Sequence, residues 1–80
     1  MNLNSGMIVQ ISGSVIDVEF KQGHLPRIKE ALTVKVNGET RVMETSQHIG
    51  KDVVRCIMLD ESGNLARGMT VIATGAGVRV

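Results

Sequence analysis

Three residues of this chain carry the nitrogen or sulfur donors of a zinc site: His24, His48 and Cys56. Zinc sites space such ligands closely, so that one loop or one helix turn presents two donors together. No pair among these three has that spacing. The expectation is no metal site, with His24 solvated and His48 hydrogen-bonded to a turn. Asp17 and Glu19 lie two apart, so on a strand they leave the same face. Paired carboxylates do acid–base work only where their surroundings drive their pKa values apart. The expected surroundings here are solvent, an interface rim, or a salt bridge to a neighbouring subunit. Cys56 falls mid-strand with no base beside it, a setting in which a thiol is inert. Gly75-Ala76-Gly77 invites a phosphate-loop reading, but no Lys followed by Ser or Thr comes after it at the required spacing, so a turn is expected. No Ser/His/Asp arrangement is supported. No catalytic, cofactor-binding or metal-binding residue is therefore assigned.

The elements around these residues read as strands. Met7, Val9 and Ile11 fall on one face of a first strand, with Gln10 and Ser12 on the other. Gly13-Ser14 then interrupts, as a tight hairpin or as a kink or bulge in one long strand. A change of phase across Gly13 favours the kink. Ile16, Val18 and Phe20 alternate with Asp17 and Glu19. Lys21 to Lys29 is a loop containing Pro26, which a central strand excludes. Ile28 to Ala31 has the length of one helical turn. Leu32, Val34 and Val36 alternate again, and Asn37-Gly38 is the strongest hairpin signal in the chain. A return strand runs from about Thr40 to Gln47, and another from Asp52 to Leu59. Asp60 to Asn64 is a polar turn. A further strand spans Thr70 to Thr74, and Val78 to Val80 is a terminal strand or the start of a linker. About six short strands with glycine punctuation predict an all-β fold, a small closed six-stranded antiparallel-rich barrel, since closure removes exposed edges. Residues 1–80 form one such domain.

Composition narrows the partners. The net charge is +1, with no Trp, no Tyr and one Phe, so neither a basic face nor an aromatic platform for nucleic acid is evident. A single cysteine excludes an internal disulfide and fits a reducing compartment. Met1 to Gly6 lacks the basic and apolar regions of a signal peptide, and no apolar run approaches a membrane span. The 42% hydrophobic fraction is aliphatic. Part of it is misplaced for a core. On the Asp52 to Leu59 strand, Val54, Cys56 and Met58 share one face, and Val53, Ile57 and Leu59 the other. Val15 and Met43 also fall outside. Several outward aliphatics together point to a covering partner, or to loops folded back over them. The candidate subunit interface is Val15, Val53, Ile57 and Leu59.

Four strings add to this reading: V-I-D-V-E-F at Val15 to Phe20, G-H-L-P at Gly23 to Pro26, S-Q-H-I-G at Ser46 to Gly50, and A-R-G-M-T-V-I-A-T-G at Ala66 to Gly75. Their order and spacing resemble the N-terminal barrel domain of the F-type ATP synthase beta subunit, from about Gly6 to Val80. The alpha subunit and the flagellar and secretion ATPases have related barrels that are less similar at the first two strings. The chain departs from the family at Ser14 and near Gly77, where proline is usual. The resemblance implies a non-catalytic assembly domain of a longer catalytic subunit. ATP, ADP and magnesium bind in that parent's nucleotide domain, beyond the end of this chain. The implied partners are neighbouring alpha-subunit barrels in a ring of six, with no nucleic acid and no direct membrane contact. The implied setting is a peripheral complex of an ion-translocating (proton-transporting) motor, on the cytoplasmic side of a bacterial inner membrane or the matrix or stroma side in an organelle. In isolation such a surface favours self-association. The competing readings are a free-standing ligand- or oligonucleotide-binding barrel and the N-terminal barrel of a flagellar or secretion ATPase.

Overall fold

The computed structural model describes residues 4–21, 24–60 and 63–77. The Val78–Val80 strand, Gly23, and residues 61–62 of the polar turn lie outside the described residues. Six strands follow in chain order: β1 Asn4–Ser12, β2 Val15–Glu19, β3 Glu30–Val36, β4 Glu39–His48, β5 Val53–Met58 and β6 Thr70–Gly77. They close into a barrel in the order β1-β2-β5-β4-β3-β6, every neighbouring pair antiparallel. The closed all-β barrel expected from the strand spacing is the fold observed. No helix of the described residues is long and apolar enough to cross a membrane.

Two-residue hairpins join β1 to β2 and β3 to β4. Asn37 and Gly38 hold φ of 52° and 84°, the doubly left-handed pair that a type I′ turn requires. Gly13, at φ 60°, opens the other turn, where Ser12 faces Val15. The kink expected at Gly13 is therefore a hairpin. A bulge does occur, but it lies earlier. On β1, Ile8 faces Val18 and Gln10 faces Asp17, so Val9 is the extra residue. The bulge also corrects the expected faces of β1. Met7 points out, at 51% exposure, and Ile8 points in, at 1%. Past the bulge the phase resets, and Ile11 packs against the core. Two further expectations fail. Glu30 and Ala31 belong to β3 and not to a helical turn. Gly75 to Gly77 extend β6 and do not form a turn, with Gly77 opposite Glu30.

The interior is solid aliphatic packing: Ile8, Ile16, Val18, Leu32, Val34, Val36, Met43, Val54, Cys56, Met58, Val71 and Ala73, closed by Phe20. A barrel this narrow holds its own side chains and little else. Met43 belongs to this interior, fully buried opposite Met58, and not to the outer wall as its sequence position suggested. Adjacent Val42 and Met43 are both apolar, so β4's phase is decided by its pairing with β3 and β5, where Met43 faces buried Leu32 and Met58.

Candidate contact surface on the outer wall

In an antiparallel ladder, residues opposite one another share a face. The β2–β5 register places Val15 opposite Ile57, Asp17 opposite Arg55 and Glu19 opposite Val53. These pairs stack as three rows on the outer wall, because Ile16, Val18, Val54 and Cys56 between them point inward and are fully buried. The neighbouring strands lengthen each row. Glu44 of β4 flanks Ile57, Gln10 and Gln47 flank the Asp17–Arg55 pair, and Met7 flanks Glu19. The backbone fixes both ends of the ladder. Phe20 N–H donates to Asp52 O at 2.7 Å, and Met58 N–H donates to Ser14 O at 2.8 Å. Leu59 continues the line past β5, its N–H donating to Val42 O at 3.1 Å.

The four candidate residues thus share one wall but not one patch. Val15 and Ile57 are cross-strand neighbours. Leu59, 49% exposed, extends them toward Val42, whereas Val53 lies across the polar middle row. Ile57 itself is 36% exposed. Sequence reasoning missed Met7 and Ile49, exposed apolar residues on the Val53 side of the wall. Met7 was assigned inward by alternation that the Val9 bulge breaks. Ile49 follows β4, and its N–H donates to Val53 O at 3.0 Å.

The middle row departs most from expectation. Arg55 Nε–H donates to Asp17 Oδ1 at 3.0 Å and an Nη2–H to Oδ2 at 3.3 Å, a bidentate pair. The side chain of Asp17 is 8% exposed and that of Arg55 40%. Asp17 is therefore not on a solvated face; its carboxylate is paired within the chain. The hydrogen bond to Asp17, and then its charge, raise the pKa of Arg55 further above its ordinary value. Glu19 remains on the rim, 3.9 Å from Lys21 Nζ.

The remaining reactive residue types stay apart. His24 is exposed, while His48 Nε2–H donates to Pro26 O at 2.7 Å, in the loop as expected. Cys56 is buried in the barrel, and loss of solvent pushes its thiol up to about 12. The Thr45 hydroxyl opposite it weakly opposes that shift, without reaching hydrogen-bond geometry with any described protein atom. No three His, Cys, Asp or Glu side chains gather as a metal site among the described residues. The glycines near the end of β6 do not fit a nucleotide phosphate. Gly75 N–H already donates to Glu30 Oε2 at 2.9 Å, and Ala76 N–H to Thr74 Oγ1 at 3.2 Å, so neither amide is available to cradle an anion. A shallow hollow of ≈ 290 Å³ beside Met7 is lined by Ser5, Gly6, Met7, Glu19, Lys21 and Thr70, with no aromatic surface for a base.

What the molecule offers is a closed cylinder with a banded outer wall: Val15 and Ile57 flanked by Glu44, then the Asp17–Arg55 pair, then Val53 and Met7 flanking Glu19. A family model described as the beta-barrel domain of the ATP synthase alpha/beta family matches residues 8–75. The match takes in all of β2 to β5 and most of β1 and β6. The chain belongs to the ATP synthase alpha/beta family, as its beta-barrel domain.

Proposed function

We propose that this barrel is the N-terminal domain of a beta-type, catalytic subunit and that it serves assembly without catalysis of its own. In this reading it sits in a ring with neighbouring alpha-type barrels, while a nucleotide domain further along the parent chain binds ATP, ADP and magnesium. The ring lies in a peripheral complex that couples ATP turnover to ion translocation, on the cytoplasmic face of a bacterial membrane or the equivalent organelle face. The strings at Val15 to Phe20 and Gly23 to Pro26 favour the beta type over the alpha type. The observation that carries the assembly role is the outward Val15–Ile57 pair, extended by Leu59, on a barrel whose interior is already filled. Such a wall gains from being covered, at about 25 cal/mol per Å² of apolar area removed from water. A closed barrel suits the task physically, since its backbone groups are paired internally and its lateral faces stay fixed relative to one another.

The test is Ile57→Asp in the parent subunit, mixed with its alpha-type partner. The ring should fail to assemble in analytical ultracentrifugation, while the 80-residue barrel carrying the same change keeps a native amide NMR spectrum. Undiminished assembly would refute the contact. Titrating the barrel with ATP and magnesium should leave its amide shifts unchanged at micromolar ligand. Saturable, localised shifts would show a nucleotide site instead.

A further inference from the structure

Arg55 occupies the middle of the banded wall, and only one side of its guanidinium is engaged. The Nε and Nη2 hydrogens that meet Asp17 form the side-on fork. A guanidinium has a second, end-on fork formed by Nη1 and Nη2, coplanar with the first and fixed relative to it. Among the described residues, Arg55 meets no acceptor other than Asp17. Anchoring by Asp17 fixes the direction of the open fork, so a bound group costs little further side-chain freedom. Val15 and Ile57 lie on one side, and Val53 with Glu19 opposite it on the other. Covering this wall leaves the fork in a dry setting, where an unmet donor is costly.

Charge selects the acceptor. Arg55 is already balanced by Asp17, and Glu19 by Lys21. Glu44, beside Ile57 in the register, has no such match in its row among the described residues and repels an incoming anion. A carboxylate or phosphate on the fork would leave excess negative charge in the contact, whereas a neutral oxygen would not. We propose that the end-on fork of Arg55 takes main-chain carbonyl oxygens from the neighbouring barrel, forming a hydrogen-bonded centre of the contact. This rests on the docking reading above and adds to it which atoms the partner supplies.

The experiment measures affinity of the parent subunit for its alpha-type partner at several salt concentrations. The variants are R55K, R55Q, the charge-neutral double variant D17N/R55Q, and I57D. The double variant guards against misfolding caused by a lone buried carboxylate. I57D should abolish binding. R55K, R55Q and the double variant should each raise Kd by about tenfold, with native amide spectra and the same salt dependence as the unmodified protein. If I57D abolishes binding and the Arg55 variants bind normally, the carbonyl contact is refuted and the docking wall stands. If R55Q flattens the salt dependence, the acceptor is a carboxylate and the proposal is overturned. Normal binding by I57D removes the docking wall and the Arg55 contact together.

Discussion

Cys56 and Thr45 face each other inside the barrel, and both are in settings that the fold tolerates at a cost. The thiol has an ordinary value of 9.0 and stands at about 12 when folded. Between these values the unfolded chain ionises and the folded chain does not, so the unfolded state binds fewer protons. Stability is therefore intact below pH 9 and declines as pH rises toward 12, by up to about 1.4 kcal/mol per unit. Urea melts from pH 8 to 11 should show this slope in the native chain and lose this component of it in Cys56→Val. An equal slope in both proteins would refute the assignment. The Thr45 hydroxyl is buried without a formed hydrogen bond. Thr45→Val keeps the shape and removes the unpaired group, so it should stabilise the barrel by about 1 kcal/mol, read as a higher urea midpoint. A lower midpoint would mean that the hydroxyl has a partner after all.

At the level of strands, the close approach of the end of β2 explains a glycine. Phe20, just past β2, folds into the barrel over Gly6 of β1. A Cβ added at Gly6 would lie 2.7 Å from Glu19 O and 2.8 Å from Val18 Cγ1, with Phe20 Cδ2 at 3.0 Å. Backbone cannot yield as a flexible side chain can. Gly6→Ala should thus cost about 1–3 kcal/mol and weaken the β1–β2 pairing, seen as faster amide exchange at Met7 and Glu19, which face each other across it. Unchanged exchange would show that the strands part more easily than this packing implies. Much of this level was legible in the sequence. The alternation at Ile16, Val18 and Phe20, that at Leu32, Val34 and Val36, and the Asn37-Gly38 turn all correspond to observed elements. The failures have physical causes. One extra residue at Val9 inverts the period that assigned Met7 inward. A glycine that opens a two-residue hairpin and a glycine that kinks a strand leave the same mark in sequence, so Gly13 was misread. The burial of Asp17 depends on Arg55, 38 residues away, and only the β2–β5 register brings them together. The outward side of β5 was legible, because its alternation is unbroken from Val53 to Met58. The banding of that wall was not, because it is a property of paired strands.

The whole molecule is a near-isometric body of 27 × 25 × 22 Å, closed where the first strand meets the last. Asn4 lies opposite Ala73 and Met7 opposite Thr70. That seam has a consequence in time. The β1–β2 and β3–β4 hairpins are local and form within about 1–10 μs, whereas the seam brings together the two most distant strands in the chain and bears the largest loop-closure entropy. During synthesis β1 leaves the ribosome first and β6 last. Until β6 emerges, β1 has an unpaired side, and the nascent sheet has an open edge of the kind that pairs with other chains. The tight closure that makes the finished barrel a sound building block thus makes its birth the moment of greatest exposure to wrong partners.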